Sequence, residues 1–335
     1  MILHKEDRLT FLIDQHRVPT RKFRYEPWMK TLKEETFAKM YRHGGGDIAM
    51  HKLAYKLAER NHRVVMFCEP MWYHENIISF KSMLHMNSGD GKGMTWFLPE
   101  MMQFPLDSTV SVYSNNQPNN HFNTDYNAIW MLTDDYDHSN WKNTKTEDVF
   151  FSYSTWKTKK ETIPLKAIHY SFDELYKTNN GRRKGFCHFP HKYTPENYDS
   201  IIKSFDSDNI YDWKWSGGID YLREILNEYE YLITFDKHTA MTYLPGLCGC
   251  KTIILNTDDD SWPVDDDEWK KLTPEEYRLK HPHRKYGCAY GFRDIEWANN
   301  TIDLVPDHLK EMEKEDDKSV DNFIEFWEKK TGLRT

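Results

Sequence analysis

Short apolar runs alternate with amphipathic segments along this chain of 335 residues. The runs at 8–14 (RLTFLID) and 63–68 (RVVMFC) have the length and composition of strands. Apolar residues between them recur at helical spacing and predict an amphipathic helix, namely Met50, Leu53, Ala54, Leu57 and Ala58. A strand, a helix and a second strand in this order predict a parallel pair with a right-handed crossover. The N-terminal half is therefore predicted to be Rossmann-like.

The same alternation continues to the end of the chain. Strands are predicted at 109–113, 128–132, 149–153, 167–170, 185–189 and 210–213, and helices at 195–205, from 219, and at 320–330. A polar, turn-rich stretch at 140–147 reads as a linker. We therefore predict an N-terminal domain over 1–145, a second domain over 146–310, and a C-terminal helix within 311–335 whose expected docking place is the first domain.

The stretch 231–256 (YLITFDKHTAMTYLPGLCGCKTIILN) is the most informative part of the second half. It reads as a strand, a tight turn, a short helix and another strand. Asp236, His238 and Thr239 cluster where the first of these strands ends. Ligands of open parallel sheets bind outside the carboxyl ends of the strands, so we predict a ligand-binding corner here.

Composition limits the classes of partner. Hydrophobic residues make up 39% of the chain and charged residues 29%, which is enough material for folded cores. The 53 acidic and 45 basic side chains give a net charge of −8. This charge opposes sequence-independent binding to a phosphate backbone, so we expect no nucleic-acid partner.

The cysteines and the hydropathy of the sequence indicate the cellular compartment of the protein. The five cysteines form no CxxC pair and read as reduced thiols, namely Cys68, Cys187, Cys248, Cys250 and Cys288. No window approaches the ~18 apolar residues of a membrane span, and the first residues lack the apolar core of a signal peptide. We therefore predict a cytoplasmic protein without a transmembrane segment, while a peripheral membrane role stays open.

The run His43-Gly44-Gly45-Gly46 allows three interpretations. A lipase-type oxyanion loop would need a GxSxG elbow, which the chain lacks. A dinucleotide fingerprint would need GxGxxG spacing, and Asp47 at the helix start would repel a pyrophosphate. The third interpretation is a glycine turn that lets a sugar or an acceptor approach the backbone. A turn required only for packing is the alternative, with Asp47 as the helix N-cap.

Four stretches of the sequence resemble glycosyltransferases of the GT-B fold, in particular a polysaccharide-type subgroup. Residues 44–65 resemble the glycine loop, helix and strand entry of these enzymes, with Asn61 in place of a glycine. Residues 109–132 resemble a strand with Tyr, an Asn-Pro-like turn and a strand with Trp, although the turn here reads Pro118-Asn119. Residues 235–250 resemble the "F-D-x-x-T … L-C-G-C" corner, and residues 287–301 the "G-I-A-Y-G … D-I" stretch.

This resemblance implies an α/β fold with two Rossmann-like domains facing a cleft (GT-B). It further implies transfer of a sugar from a nucleotide diphosphate donor to a hydroxyl of a glycan or glycoprotein acceptor. The donor is expected in the C-terminal domain and the acceptor mainly in the N-terminal one, with no cofactor and no obligatory metal. Tyr243-Leu244-Pro245 stands where the family commonly has a ribose-binding Glu, so the nucleotide is left open.

We assign the candidate site residues on this basis. The candidate catalytic residues are His43 and Asp47, which border the glycine loop Gly44, Gly45 and Gly46. The candidate donor-binding residues are Arg183, Lys184, His188, Lys192, Asp236, His238, Thr239, Tyr243 and Tyr290. The cations among them suit a diphosphate leaving group, and Thr239 suits a phosphate at a helix N-terminus. A solvated turn is the alternative for the basic group, a surface loop for His43, and turn formation for Asp236.

Three other functions remain open on the sequence. A metal-dependent transferase of the GT-A type would use an acidic motif such as Asp134-Asp135 or the run 258–260. A nicotinamide-dependent Rossmann oxidoreductase would share the fold class. A sugar-binding module without catalysis would share the site.

Overall fold

The computed structural model describes residues 8–14, 45–66, 73–79, 106–114, 124–132, 147–153, 161–167, 181–188, 210–212, 219–235, 240–255 and 273–333. The chain divides into two compact units. The first unit comprises Met1–Leu32, Gly46–His169 and Lys314–Thr335. The second unit comprises Lys33–Gly45 and Tyr170–Glu313.

The first unit contains a seven-stranded sheet in which all neighbouring strands are parallel. Its strands are β1 (Thr10–Asp14), β2 (Arg63–Met66), β3 (Ile77–Ser79), β4 (Thr109–Ser114), β5 (Tyr126–Met131), β6 (Val149–Ser152) and β7 (Ile163–Pro164). The spatial order is β3-β2-β1-β4-β5-β6-β7. This is the doubly wound Rossmann order, in which the strand order reverses between β1 and β4.

Helix α1 (Gly45–Glu59) packs on this sheet with the apolar stripe that the sequence predicts. Leu53, Ala54, Leu57 and Ala58 are fully buried. The helix begins at Gly45, so Asp47 lies within its first turn. The assignment of Asp47 as the N-cap is therefore wrong, because the N-cap residue precedes the first helical residue.

Helix α5 (Val305–Thr331) is longer than the helix predicted at 320–330. Val320, Phe323, Ile324 and Trp327 form one stripe and join the core of the first sheet. The Phe323 ring lies 5.6 Å from that of Phe11 on β1. The earlier part of α5 is highly charged, and its buried apolar stripe is limited to Val305, Leu309 and Met312, which explains why the sequence analysis missed it.

The first sheet extends beyond the domain boundary that we placed at residue 145. Strand β6, which the sequence analysis assigned to the second domain, pairs with β5, and β7 pairs with β6. Trp130 on β5 donates its indole N–H to the carbonyl oxygen of Leu165 at 2.9 Å. The boundary between the units lies at His169, and Ala167 is not part of a strand.

The second unit contains a five-stranded sheet, also parallel throughout. Its strands are β8 (Lys184–His188), β9 (Ile210–Asp212), β10 (Tyr229–Thr234), β11 (Lys251–Ile254) and β12 (Cys288–Tyr290). The spatial order is β12-β11-β10-β8-β9. Read from β9, this is the flavodoxin-like order, whose reversal lies between the first and third strands, here β8 and β10.

Three further helices belong to the second unit, namely α2 (Ile219–Glu228), α3 (Pro274–Lys280) and α4 (Ile295–Thr301). Helix α3 begins with a capping box, in which Thr273 Oγ1 accepts the Glu276 N–H and the Glu276 carboxylate accepts the Thr273 N–H. Two parallel sheets with these strand orders, one in each compact unit, confirm the predicted α/β fold class. The helix predicted at 195–205 lies outside the described residues.

Candidate functional site

The ligand-binding corner that the sequence predicts follows the carboxyl end of strand β10 in the second sheet. Strand β8 ends at His188 and strand β10 at Thr234, so these two ends border the point of reversal. Open α/β sheets bind ligands outside such a point. Asp236, His238 and Thr239 follow β10 directly in the sequence, but they and Lys192 lie outside the described residues.

His188 lies at the carboxyl edge of the second sheet, next to the point of reversal. Its side chain is fully buried at the last position of β8. The imidazole meets the ring of Phe235 edge-to-face, with the ring centroids 5.8 Å apart. Phe235 is the first residue after β10 and is itself 2% exposed. The two rings therefore join the ends of the two strands that border the reversal.

The sequence predicts a short α-helix after Thr239, whereas the structure has two short 3-10 helices there. They span Ala240–Thr242 and Leu244–Cys248, with Tyr243 between them. Pro245 lies in the first turn of the second of these helices. Turns this short align few peptide dipoles, so the proposed role of a helix N-terminus at Thr239 loses its basis.

Arg183 does not lie at the carboxyl edge. It precedes β8, and its guanidinium donates to the carbonyl oxygens of Leu226 at 2.6 Å and Tyr229 at 3.0 Å and to that of Cys248. Leu226 lies in the last turn of α2, Tyr229 is the first residue of β10, and Cys248 is the last residue of the 3-10 helix Leu244–Cys248. The guanidinium therefore links these three segments at the amino edge of the sheet. Arg183 thus has a structural role.

Lys184 is the first residue of β8 and shares this amino edge. Its ammonium pairs with the carboxylate of Glu228 and lies 5.1 Å from the Tyr229 ring centroid. Four residue steps of strand separate Lys184 from His188, or roughly 13 Å. Lys184 therefore belongs with Arg183 and not with the ligand corner.

Tyr243 and Tyr290 are buried in the interior of the second unit. Tyr243 is 5% exposed, and its ring meets that of His283 edge-to-face at 5.0 Å. Tyr290 ends β12 and is 1% exposed, and burial raises its pKa well above the ordinary value. Its backbone N–H donates to Asp294 Oδ2 at 3.0 Å. Both side chains are thus part of the buried packing of the second unit.

Two buried arginines near this edge were missed by the sequence analysis. Arg278 is 4% exposed and Arg284 is 1% exposed. Arg278 forms an ion pair with Asp294 and stacks 4.4 Å from the Trp297 ring centroid. Burial raises the pKa of the Asp294 carboxyl, and Arg278 opposes this rise. Arginine is usually exposed, so only the density of basic and aromatic residues at 277–286 hinted at this cluster.

Part of the glycine loop 44–46 lies within the residues that the structure describes. Gly45 and Gly46 form the start of α1, whereas His43 and Gly44 lie outside the described residues. A Cβ built on Gly46 would stand 3.5 Å from Leu132 Cδ1. Leu132 directly follows β5, so α1 begins at the carboxyl edge of the first sheet. Nothing in the described part of the chain tests His43 or Asp47 as catalytic groups.

No group of three or more His, Cys, Asp or Glu side chains suited to a metal occurs among the described residues. The acidic motifs Asp134-Asp135 and 258–260 lie outside them. None of the described helices is long and apolar enough to span a bilayer.

Comparisons with known proteins complete the description. No protein-family model matches this sequence, and no curated protein matches it. Among solved structures, a sucrose-phosphate synthase from Thermosynechococcus elongatus is similar with a TM-score of 0.39 and 10% identity, covering 97% of each chain. WaaG, a glycosyltransferase involved in lipopolysaccharide biosynthesis, is similar with a TM-score of 0.42 and 8% identity, covering 98% of this chain and 100% of that one. TM-scores this low carry no argument about the activity of this chain.

Proposed function

We propose that this protein is a glycosyltransferase that transfers a sugar from a nucleotide diphosphate donor to a hydroxyl of a glycan or glycoprotein acceptor. One observation carries the proposal. Two stretches with glycosyltransferase-like motifs, 235–250 and 287–301, meet the same edge of one sheet, at the ends of β10 and β12. That edge includes the reversal of strand order, where doubly wound sheets bind ligands.

The donor site that we propose is smaller than the set assigned from the sequence. It contains Lys192, Asp236, His238 and Thr239, which follow β8 and β10 in the chain. His188, which ends β8, is fully buried and is retained as a support of the edge. Arg183 and Lys184 are left out, because their cations bind groups at the amino edge. Tyr243 and Tyr290 are retained as buried supports of the edge.

Transfer breaks the bond between the anomeric carbon and the diphosphate oxygen and forms a bond to the acceptor oxygen. The leaving diphosphate gains charge, which donors fixed at the corner stabilise. If the anomeric centre inverts, a base takes the acceptor proton as the new bond forms. We propose His43 or Asp47 for this base. No metal or cofactor is part of the proposal.

Thermal unfolding with candidate ligands tests this function. A ligand that binds only the folded state stabilises it by about 2.7 kcal/mol at one hundred times its Kd. We expect one of UDP, GDP, CDP or dTDP, and its sugar conjugate, to raise the melting temperature, and NAD to leave it unchanged. No shift with any of the four at millimolar concentration would refute the donor site.

Turnover experiments then separate the remaining functions. We expect sugar release from the donor that stabilises the protein, with equal rates in the presence of EDTA. Loss of activity in EDTA would instead identify a metal-dependent transferase. At least one of His43→Ala and Asp47→Ala is expected to abolish turnover while nucleotide binding stays unchanged. Binding without any turnover in the wild type would indicate a sugar-binding module.

A further inference from the structure

We draw no further inference here: the strongest candidate, the groove of about 340 Å³ between strand β7 and helix α5 in the first unit, is lined by two lysines and two acidic residues whose charges balance, and nothing in the structure shows what fills it.

Discussion

At the scale of single residues, Gly287 combines two constraints. Its φ is +67°, and a Cβ there would stand 2.7 Å from Val305 Cγ2 and 2.9 Å from Ile302 Cδ1. An L-residue at positive φ costs roughly 1–2 kcal/mol, and overpacking adds roughly 1–3 kcal/mol. We therefore expect Gly287→Ala to destabilise the protein by about 2–5 kcal/mol, measured by urea unfolding.

Gly332 provides the matched control. Its φ is +74°, yet nothing lies within 4 Å of its built Cβ. Gly332→Ala should therefore show only the backbone cost of about 1–2 kcal/mol. Equal losses for the two variants would mean that α5 moves away from Gly287 without cost, and that the close contact with Val305 is unimportant.

The buried cysteines give a second prediction at this scale. Burial raises the pKa of both the Cys248 thiol and the Cys288 thiol to about 12. Since the thiolate is the reactive form, about one thiol in ten thousand is ionised at pH 8. Iodoacetamide should therefore leave both sites unlabelled in the native protein, as followed by mass spectrometry of each peptide.

Unfolding reverses this protection. In urea both thiols become exposed, their pKa values return to about 8.5, and labelling at pH 8 should be complete within the same time. Native labelling of Cys248 or Cys288 as fast as in urea would show that the strand ends open readily to solvent.

At the scale of elements, packing and charge contribute unequally to the docking of α5 in the first unit. Phe323 is fully buried and its ring lies 4.7 Å from that of Phe151. Asp317 pairs with Lys56 of α1 at 2.7 Å, but its side chain is 34% exposed. We expect Phe323→Ala to cost about 3–5 kcal/mol of unfolding free energy and Asp317→Asn less than about 1 kcal/mol.

Salt distinguishes the two contributions. The small effect of Asp317→Asn should shrink further near 1 M salt, where the Debye length falls to about 3 Å. The effect of Phe323→Ala should persist. An Asp317→Asn variant as unstable as Phe323→Ala would show that the ion pair with α1, and not the apolar stripe, holds the helix.

At the scale of the whole molecule, the two sheets should respond differently to a donor. Hydrogen exchange of the full chain, followed by mass spectrometry, localises the response because binding suppresses local opening. We expect the stabilising nucleotide to slow exchange at 229–235 and 240–255 in the second unit. Exchange in β1, β2 and β4 of the first unit should change little. Protection confined to the first sheet would contradict the donor site proposed in the second unit.

The sequence predicted the elements that have strong local patterns. Strands β1, β2, β4, β5 and β6 were identified because each is a run of at least four residues with a clear apolar pattern. Helix α1 was identified from its stripe. Strands β3, β7 and β12 were missed, because two or three residues rarely establish a period; β9, which is also three residues long, was predicted within 210–213.

The amino-acid sequence by itself determined the α/β class and the longer strands together with α1, since periodicity and turn chemistry act over a few residues. Only the tertiary structure decided that β6 and β7 join the first sheet, that Arg183 lies at the amino edge, and that Arg284 is buried against Thr242. Each of these depends on contacts between residues far apart in the chain. Their energies come from burial and hydrogen bonds that exist only once distant segments meet, and no local pattern of residues records them.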